Sequence, residues 1–351
     1  MRIGLVGYGL GGRIFHAPFI AFTPELRLVG IVNSQRRTPR SGGPGSSSRS
    51  ALRQPCTQLK SGVDAVVIST PLDTQQILAL EAIAAGVAVV VDKPYAYDAR
   101  QARELIAAAK KSGVALTVFH NRRWDSEFLT LCRLIDSGTL GTLRSFDSRI
   151  EVHRQGKRDK ATSGGLLRDL GSHLVDQAMQ LFGPFEAVDA EVGFRPGKDE
   201  LDDSFFLTLQ RRSGVHSHLR GDCLQSLHGP RLRLSGEDAS YQVQTIDGQE
   251  LALHAGERPV NNDRWGAQDH RNCGWLASDE ARQLVPSERG RYDLFYVGLE
   301  KALRGVGSLP VYSADALACL DVLDAARRSA RSGCNDPLNT CSGVTSRRRH
   351  R

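Results

Sequence analysis

No stretch of this 351-residue chain is apolar for long enough to cross a bilayer. The longest such run, Ala82 to Val91, contains Gly86 and falls well short of the roughly 20 residues a spanning helix needs. Patterned cysteine is also missing. The seven cysteines (56, 132, 223, 273, 319, 334 and 341) show neither CxxC nor Cys/His spacing, which argues against a disulfide frame or a zinc site and for reduced thiols. No charged region, apolar stretch and cleavage site precede the first strand-like segment, so the expectation is a cytoplasmic protein with no bound metal and no membrane partner. Aromatic residues make up 6%, and none interleave with the basic runs.

The net charge of +7 is unevenly spread. Residues 33–60 carry Arg36, Arg37, Arg40, Arg49, Arg53 and Lys60 without an acid, and residues 331–351 carry five arginines against Asp336. The first segment holds +6 and the last +4, which leaves −3 for the rest. A slightly acidic body with two basic segments, and no aromatic residues to stack on bases, argues against nucleic acid as the partner. A salt-sensitive contact through the arginine-rich end stays open as a rival reading.

What the chain does have begins at its first residue. Ile3, Leu5 and Val6 form a short apolar run that ends in Gly7-Tyr8-Gly9-Leu10-Gly11-Gly12 and leads into a helix-compatible segment. GxGxxG between a strand and a helix is a dinucleotide-binding fingerprint. Gly7 serves the tight turn, Gly9 the close approach of backbone to pyrophosphate, and Gly12 the packing of helix on strand. Strand-length apolar runs recur at 28–32, 65–69, 87–91 and 115–119, with helical stretches at 74–85 and 98–112; Asp98 is placed to N-cap the latter and Gly113 to end it. This alternation predicts an α/β, doubly wound parallel sheet of Rossmann type over 1–121, interrupted by an irregular basic loop at 33–60. Beyond Trp124 strands follow one another, near 143–153, 187–194, 205–210, 215–220 and 231–235, with helices at 165–182 and 314–332. They predict an α+β domain over 122–332 on a mostly antiparallel open sheet, with 333–351 a disordered basic tail.

Polar groups gather where parallel strands end, the edge at which open α/β sheets bind ligands. Ser69-Thr70-Pro71, Asp92-Lys93-Pro94 and His120-Asn121-Arg122 each follow a predicted strand. At the end of the second strand, where an acidic residue would accept a ribose 2′-hydroxyl, stand Asn33, Ser34, Arg36 and Arg37. Neutral and basic groups there favour a 2′-phosphate and hence NADP over NAD. In the second half, Asp169 and His173 are four apart on a predicted helix, a spacing that lets a carboxylate orient an imidazole and raise its basicity.

Taken in this order, Gly7/Gly9/Gly12, Asp92-Lys93-Pro94 and Asp169/His173 resemble the glucose-fructose oxidoreductase/inositol dehydrogenase/MocA (Gfo/Idh/MocA) family. GYGLGGRIFHAPF, FHNRRWDSEFLT and DLGSHLVDQAMQLFG are similar to its subgroup of NADP-dependent scyllo-inositol 2-dehydrogenases and YdgJ-like proteins. The resemblance implies hydride transfer between a nicotinamide, NADP or else NAD, and a secondary alcohol or ketone of a cyclic polyol or sugar. It implies His173 as acid/base, Lys93 as the group that polarises the oxygen, Asp169 as the residue that orients the site, and the cofactor on Gly7, Gly9, Leu10, Gly11, Gly12, Asn33, Ser34, Arg36, Arg37, Ser69, Thr70, Pro71 and Lys93. His120, Asn121 and Arg122 become substrate contacts, and a homo-dimer or homo-tetramer is expected. Gln75 replaces the family's usual histidine, Arg168 a usual tyrosine, and residues 153–163 are shorter than the usual substrate loop. A non-catalytic NAD(P)-binding sensor of the same fold is the alternative.

Overall fold

The computed structural model describes residues 1–33, 62–153, 164–195, 198–212, 214–259 and 262–338. Strands β1 (Arg2–Val6), β2 (Arg27–Val32), β3 (Ala65–Ile68), β4 (Ala88–Val91) and β5 (Leu116–Val118) form one all-parallel sheet in the order β2-β1-β3-β4-β5. β1, β3, β4 and β5 are almost wholly buried, as their continuous Val/Ile/Leu runs require of a sheet covered on both faces. The order reverses beside β1, so the crevice for a ligand opens there, at the carboxyl ends of the strands.

Local chemistry explains the helices beside this sheet. The helix α3 (Ala99–Ser112) starts where the Asp98 side chain accepts the Gln101 N–H at 2.8 Å and ends at Gly113 in the left-handed region (φ 66°). Its neighbour α2 (Leu72–Ala84) starts directly after Pro71. The first helix is less regular: a π-helical turn, Gly11–His16, leads into α1 (Ala17–Phe22).

After α4 (Ser126–Asp136) comes a second sheet, built among the described residues from β6 (Leu143–Glu151), β7 (Ala187–Arg195), β8 (Lys198–Gln210), β9 (His216–Asp222), β10 (Leu232–Gly236), β11 (Ser240–Val243), β12 (Gly274–Ala277), β13 (Arg282–Val285) and β14 (Asp336–Pro337). Its order is β13-β12-β11-β10-β6-β9-β8-β7-β14, all antiparallel except the pair β6 and β9. Alternating burial along β6 and β9 shows one face packed and the other open. The packed face lies under α5 (Ser172–Phe182) and α8 (Ser313–Ser332). A helix α7 (Asp293–Leu303) packs on the first half of the chain through aromatic contacts: its Phe295 meets Phe119 at 4.8 Å, and Tyr292, just before it, meets Phe19 at 6.2 Å.

Two expectations need correction. The helix read over 165–182 is a π-helical turn, Leu167–Gly171, followed by α5. The stretch 333–338, read as the start of a disordered tail, is held in place. Asp336–Pro337 pairs with β7 as the edge strand β14, Arg328 grips Asp336 at 2.9 and 3.0 Å, and Leu338 N–H donates to the Glu186 carbonyl at 2.7 Å. The basic loop lies outside the described residues from Ser34 on, as does the tail from residue 339. Among the described residues no helix is long and apolar enough to cross a membrane.

Candidate functional site

The glycine turn is built by close contacts. Gly7 has φ +96°, and a Cβ on it would lie 2.2 Å from the Ser69 carbonyl oxygen; one on Gly12 would lie 2.0 Å from the Gly7 carbonyl oxygen. Only glycine fits at either place. Gly9 differs: nothing among the described residues stands within 4 Å of where its Cβ would be, so a phosphate has room to approach its backbone. A turn closed against its own sheet and open at the middle glycine fits a dinucleotide pyrophosphate. Asn33 follows β2 as an exposed residue, whereas Ser34, Arg36 and Arg37 lie outside the described residues.

Beside this turn lies a cavity of about 330 Å³, walled by Leu10 and Gly11 from the N-terminal side, by Lys93, Asn121 and Arg122 from the strand ends, and by Asp169 and His173 from the second half. Gly7, Gly9, Gly12, Ser69, Thr70 and Pro71 stand outside it along the same edge, and His120 lies behind it with its ring centroid 6.5 Å from that of His173. Gln75 holds the Thr70–Pro71 turn, its Nε2 donating to the Thr70 carbonyl at 3.0 Å.

Lys93 ends β4 as the sequence predicts, but its partner is a residue 76 positions away. Its ammonium pairs with the Asp169 carboxylate and donates to the Asp169 carbonyl at 3.3 Å. An ammonium has three N–H donors, so one remains for a substrate oxygen. The i,i+4 reading of Asp169 and His173 therefore needs revision, because Asp169 sits in a π-helical turn and its carboxylate faces Lys93. The His173 imidazole is not made more basic. Burial above all, with the charges of Lys93, Arg122, His120 and Arg231 adding to it, holds it well below the ordinary 6.5. Its Nδ1 has no hydrogen-bond partner among the described residues. Burial likewise lowers His120.

Arg122 is not a free cation. Burial disfavours its charge, but Asp125 at 3.3 Å and Glu250 at 2.7 Å outweigh that and keep the guanidinium protonated. Glu250 and His254 line the cavity from α6 (Gln249–His254), and Phe15 and Cys223 line it as well. Sequence reasoning missed these four. The i,i+4 spacing of Glu250 and His254 was the available signal, and it has no meaning until the fold brings α6 to the strand edge.

Beneath Arg122 lies a buried acidic group. Among the described residues neither carboxyl oxygen of Glu127 is hydrogen-bonded, although Arg231 Nε stands 3.2 Å from it as an ion pair. Burial, with repulsion from Asp125 and Asp247, pushes it well above the ordinary 4.5, and burial takes Asp247 up to about 7. A carboxyl raised in the folded state keeps a proton that the unfolded chain has released. Its stabilising effect is full below about pH 4.5 and is lost as pH rises through the folded value. The lowered His173 and His120 act in the opposite sense below 6.5, so the clean comparison is between a variant and the wild type at each pH. We expect the melting temperature of Glu127→Gln to gain on that of wild type as pH rises from 5 to 8.5; a constant difference would show that Glu127 is already ionised.

Comparisons with known proteins agree with this fold. The family model described as "Oxidoreductase family, NAD-binding Rossmann fold" matches residues 1–120, and that of the "GFO/IDH/MocA C-terminal domain" matches residues 128–242. The chain is 32% identical to scyllo-inositol 2-dehydrogenase (NADP(+)) IolW of Bacillus subtilis, with 94% of each chain covered. It is 36% identical to the uncharacterized oxidoreductase YdgJ of Escherichia coli, over 94% of this chain and 96% of that one. The solved structure of the Bacillus subtilis protein yvaA superposes with a TM-score of 0.85 at 30% identity, covering 97% of this chain and 98% of the other.

Proposed function

Because the chain belongs to the Gfo/Idh/MocA family of oxidoreductases, we propose that it oxidises a secondary alcohol of a cyclic polyol or sugar, or reduces the ketone, with NADP as its cofactor. The observation that carries this reading is the convergence of one ammonium, Lys93, and one imidazole, His173, on a cavity whose other wall is the glycine turn. When bound, NADP supplies the hydride acceptor.

The protein's own residues supply the rest. The remaining N–H of Lys93 donates to the reacting oxygen and stabilises the alkoxide charge that develops there. Such prearranged donors are commonly the largest single contribution to catalysis. His173, held neutral by burial and by surrounding cations, takes the hydroxyl proton. Asp169 holds the lysine at its post. Asn121 and Arg122 contact the other hydroxyls of the substrate. Cofactor preference follows from the end of β2, where Asn33 offers no carboxylate to repel a 2′-phosphate, and Arg36 and Arg37 follow in the sequence. The relationship to the NADP-dependent IolW supports both the cofactor and the polyol class.

Titration of the purified chain with NADPH and NADH, followed by nucleotide fluorescence, tests this directly. Tight binding of NADPH and weaker binding of NADH, then turnover of NADP with an inositol, is the expected result. Binding of neither nucleotide would overturn the proposal.

A further inference from the structure

His16 follows the glycine turn by four residues and is fully buried, yet neither the glycine fingerprint nor the mechanism above uses it. Its Nδ1 lies 2.6 Å from the Tyr296 hydroxyl, contributed by α7 from 280 residues away. Its Nε2 stands 3.2 Å from Asp92 Oδ2, a close approach not aligned as a hydrogen bond. The ring packs on Phe119 with centroids 4.4 Å apart.

Asp92 is the hub of the corner. Its Oδ1 accepts the Lys93 backbone N–H at 2.9 Å, and its Oδ2 accepts the Ser69 hydroxyl at 2.8 Å. Burial pushes the Asp92 carboxyl up, but His16, the Ser69 hydroxyl and Lys93 together hold it below the ordinary 3.8. An ionised Asp92 only accepts, so the proton on this contact belongs to His16 Nε2. The glycine turn leans on the same atoms, since a Cβ on Gly11 would lie 2.5 Å from Ser69 Oγ and 2.7 Å from Asp92 Oδ2.

We propose that His16 is a positioning residue: braced by the Tyr296 hydroxyl, it holds Asp92, and through it the backbone of Lys93, in register with the glycine turn. It ties three separate pieces together, namely the start of the first helix, the end of β4, and α7. The lysine ammonium and the cofactor's reactive carbon must meet within a fraction of an ångström, and an error of about 1 Å costs about a hundredfold in rate. The inference rests on the proposed reading of the cavity as a nicotinamide-dependent site.

The test compares full-length His16→Phe, His16→Gln and Tyr296→Phe with wild type. Phenylalanine keeps the ring volume against Phe119 but turns a carbon edge to Asp92, whereas glutamine can still present an N–H to it. Expected for His16→Phe are a fall in kcat of about a hundredfold and a weaker NADPH dissociation constant by fluorescence titration. His16→Gln should recover most of both, and Tyr296→Phe should fall between. Equal losses in the phenylalanine and glutamine variants, or wild-type constants in His16→Phe, would overturn the proposal and leave His16 as packing. If His16→Phe fails to fold, the decision passes to the other two: wild-type constants in both overturn it. If wild type binds neither nucleotide, the functional reading fails on its own. The brace is then read from the imidazole nitrogen NMR signals of His16: a shift in Tyr296→Phe and Asp92→Asn upholds the contacts, and unmoved signals refute them.

Discussion

Replacing His173 by alanine should lower kcat by about 10²- to 10⁴-fold, the usual range for a positioned acid/base, while the NADPH dissociation constant stays at its wild-type value. His173 reaches the cavity from the second half of the chain, on α5, whereas the nucleotide-binding turn is built by the first twelve residues and by Ser69. On the proposed mechanism, loss of the imidazole removes the proton acceptor and leaves the glycine turn intact. The direction of its titration adds a second expectation. A base works in its deprotonated form, and burial together with the charges of Lys93, Arg122, His120 and Arg231 keeps that form populated well below pH 6.5. Alcohol oxidation should therefore hold its rate as pH falls through 6.5, with the acid limb of the kcat/KM profile at lower pH. Unchanged turnover in the alanine variant, or an acid limb at 6.5 or above, would remove His173 from the role.

Lys93→Met should be nearly as damaging, with kcat reduced by about 10²- to 10³-fold, the range seen when one donor to a developing oxyanion is deleted. Methionine keeps the length and apolar stem of the side chain and removes only the ammonium. The Asp169 carboxylate then loses its ammonium partner, so the variant combines loss of a donor with loss of that ion pair. The double variant Lys93→Met/Asp169→Asn separates the two effects. Partial recovery on adding Asp169→Asn would show that Asp169 acts through Lys93; no recovery would show that the missing donor accounts for the whole loss. A single variant with wild-type kcat would refute the assignment of Lys93 to the reacting oxygen.

Much of this site was legible one segment at a time. Gly7, Gly9 and Gly12 were read from their spacing after a strand, and the backbone then supplied the reason that two of them admit no side chain. Asp98 and Gly113 bound a helix because capping is decided within a few residues. Lys93 was placed at a strand end because apolar runs of strand length mark that edge. Asp169 was legible as a residue of interest, and its partner was not. A four-residue spacing speaks for mutual contact only on a regular α-helix, and the π-helical turn at Leu167–Gly171 breaks that assumption. The i,i+4 spacing of Glu250 and His254 gains its meaning only once the fold brings them to the cavity, and Cys223 carries no local pattern at all.

What the sequence by itself determined is whatever depends on neighbours along the chain. That covers the alternation of strand and helix that makes a parallel sheet, the later succession of strands that makes a mostly antiparallel one, the glycine turn and the helix caps. Tertiary structure alone decided which polar groups meet: Lys93 with Asp169 across 76 residues, Arg122 with Glu250 across 128, His16 with Tyr296 across 280. The physical reason is one of range. Backbone torsions and hydrogen bonds to the next turn are set locally, whereas an ion pair or a shifted titration depends on which groups the packed fold brings within a few ångströms and shields from water.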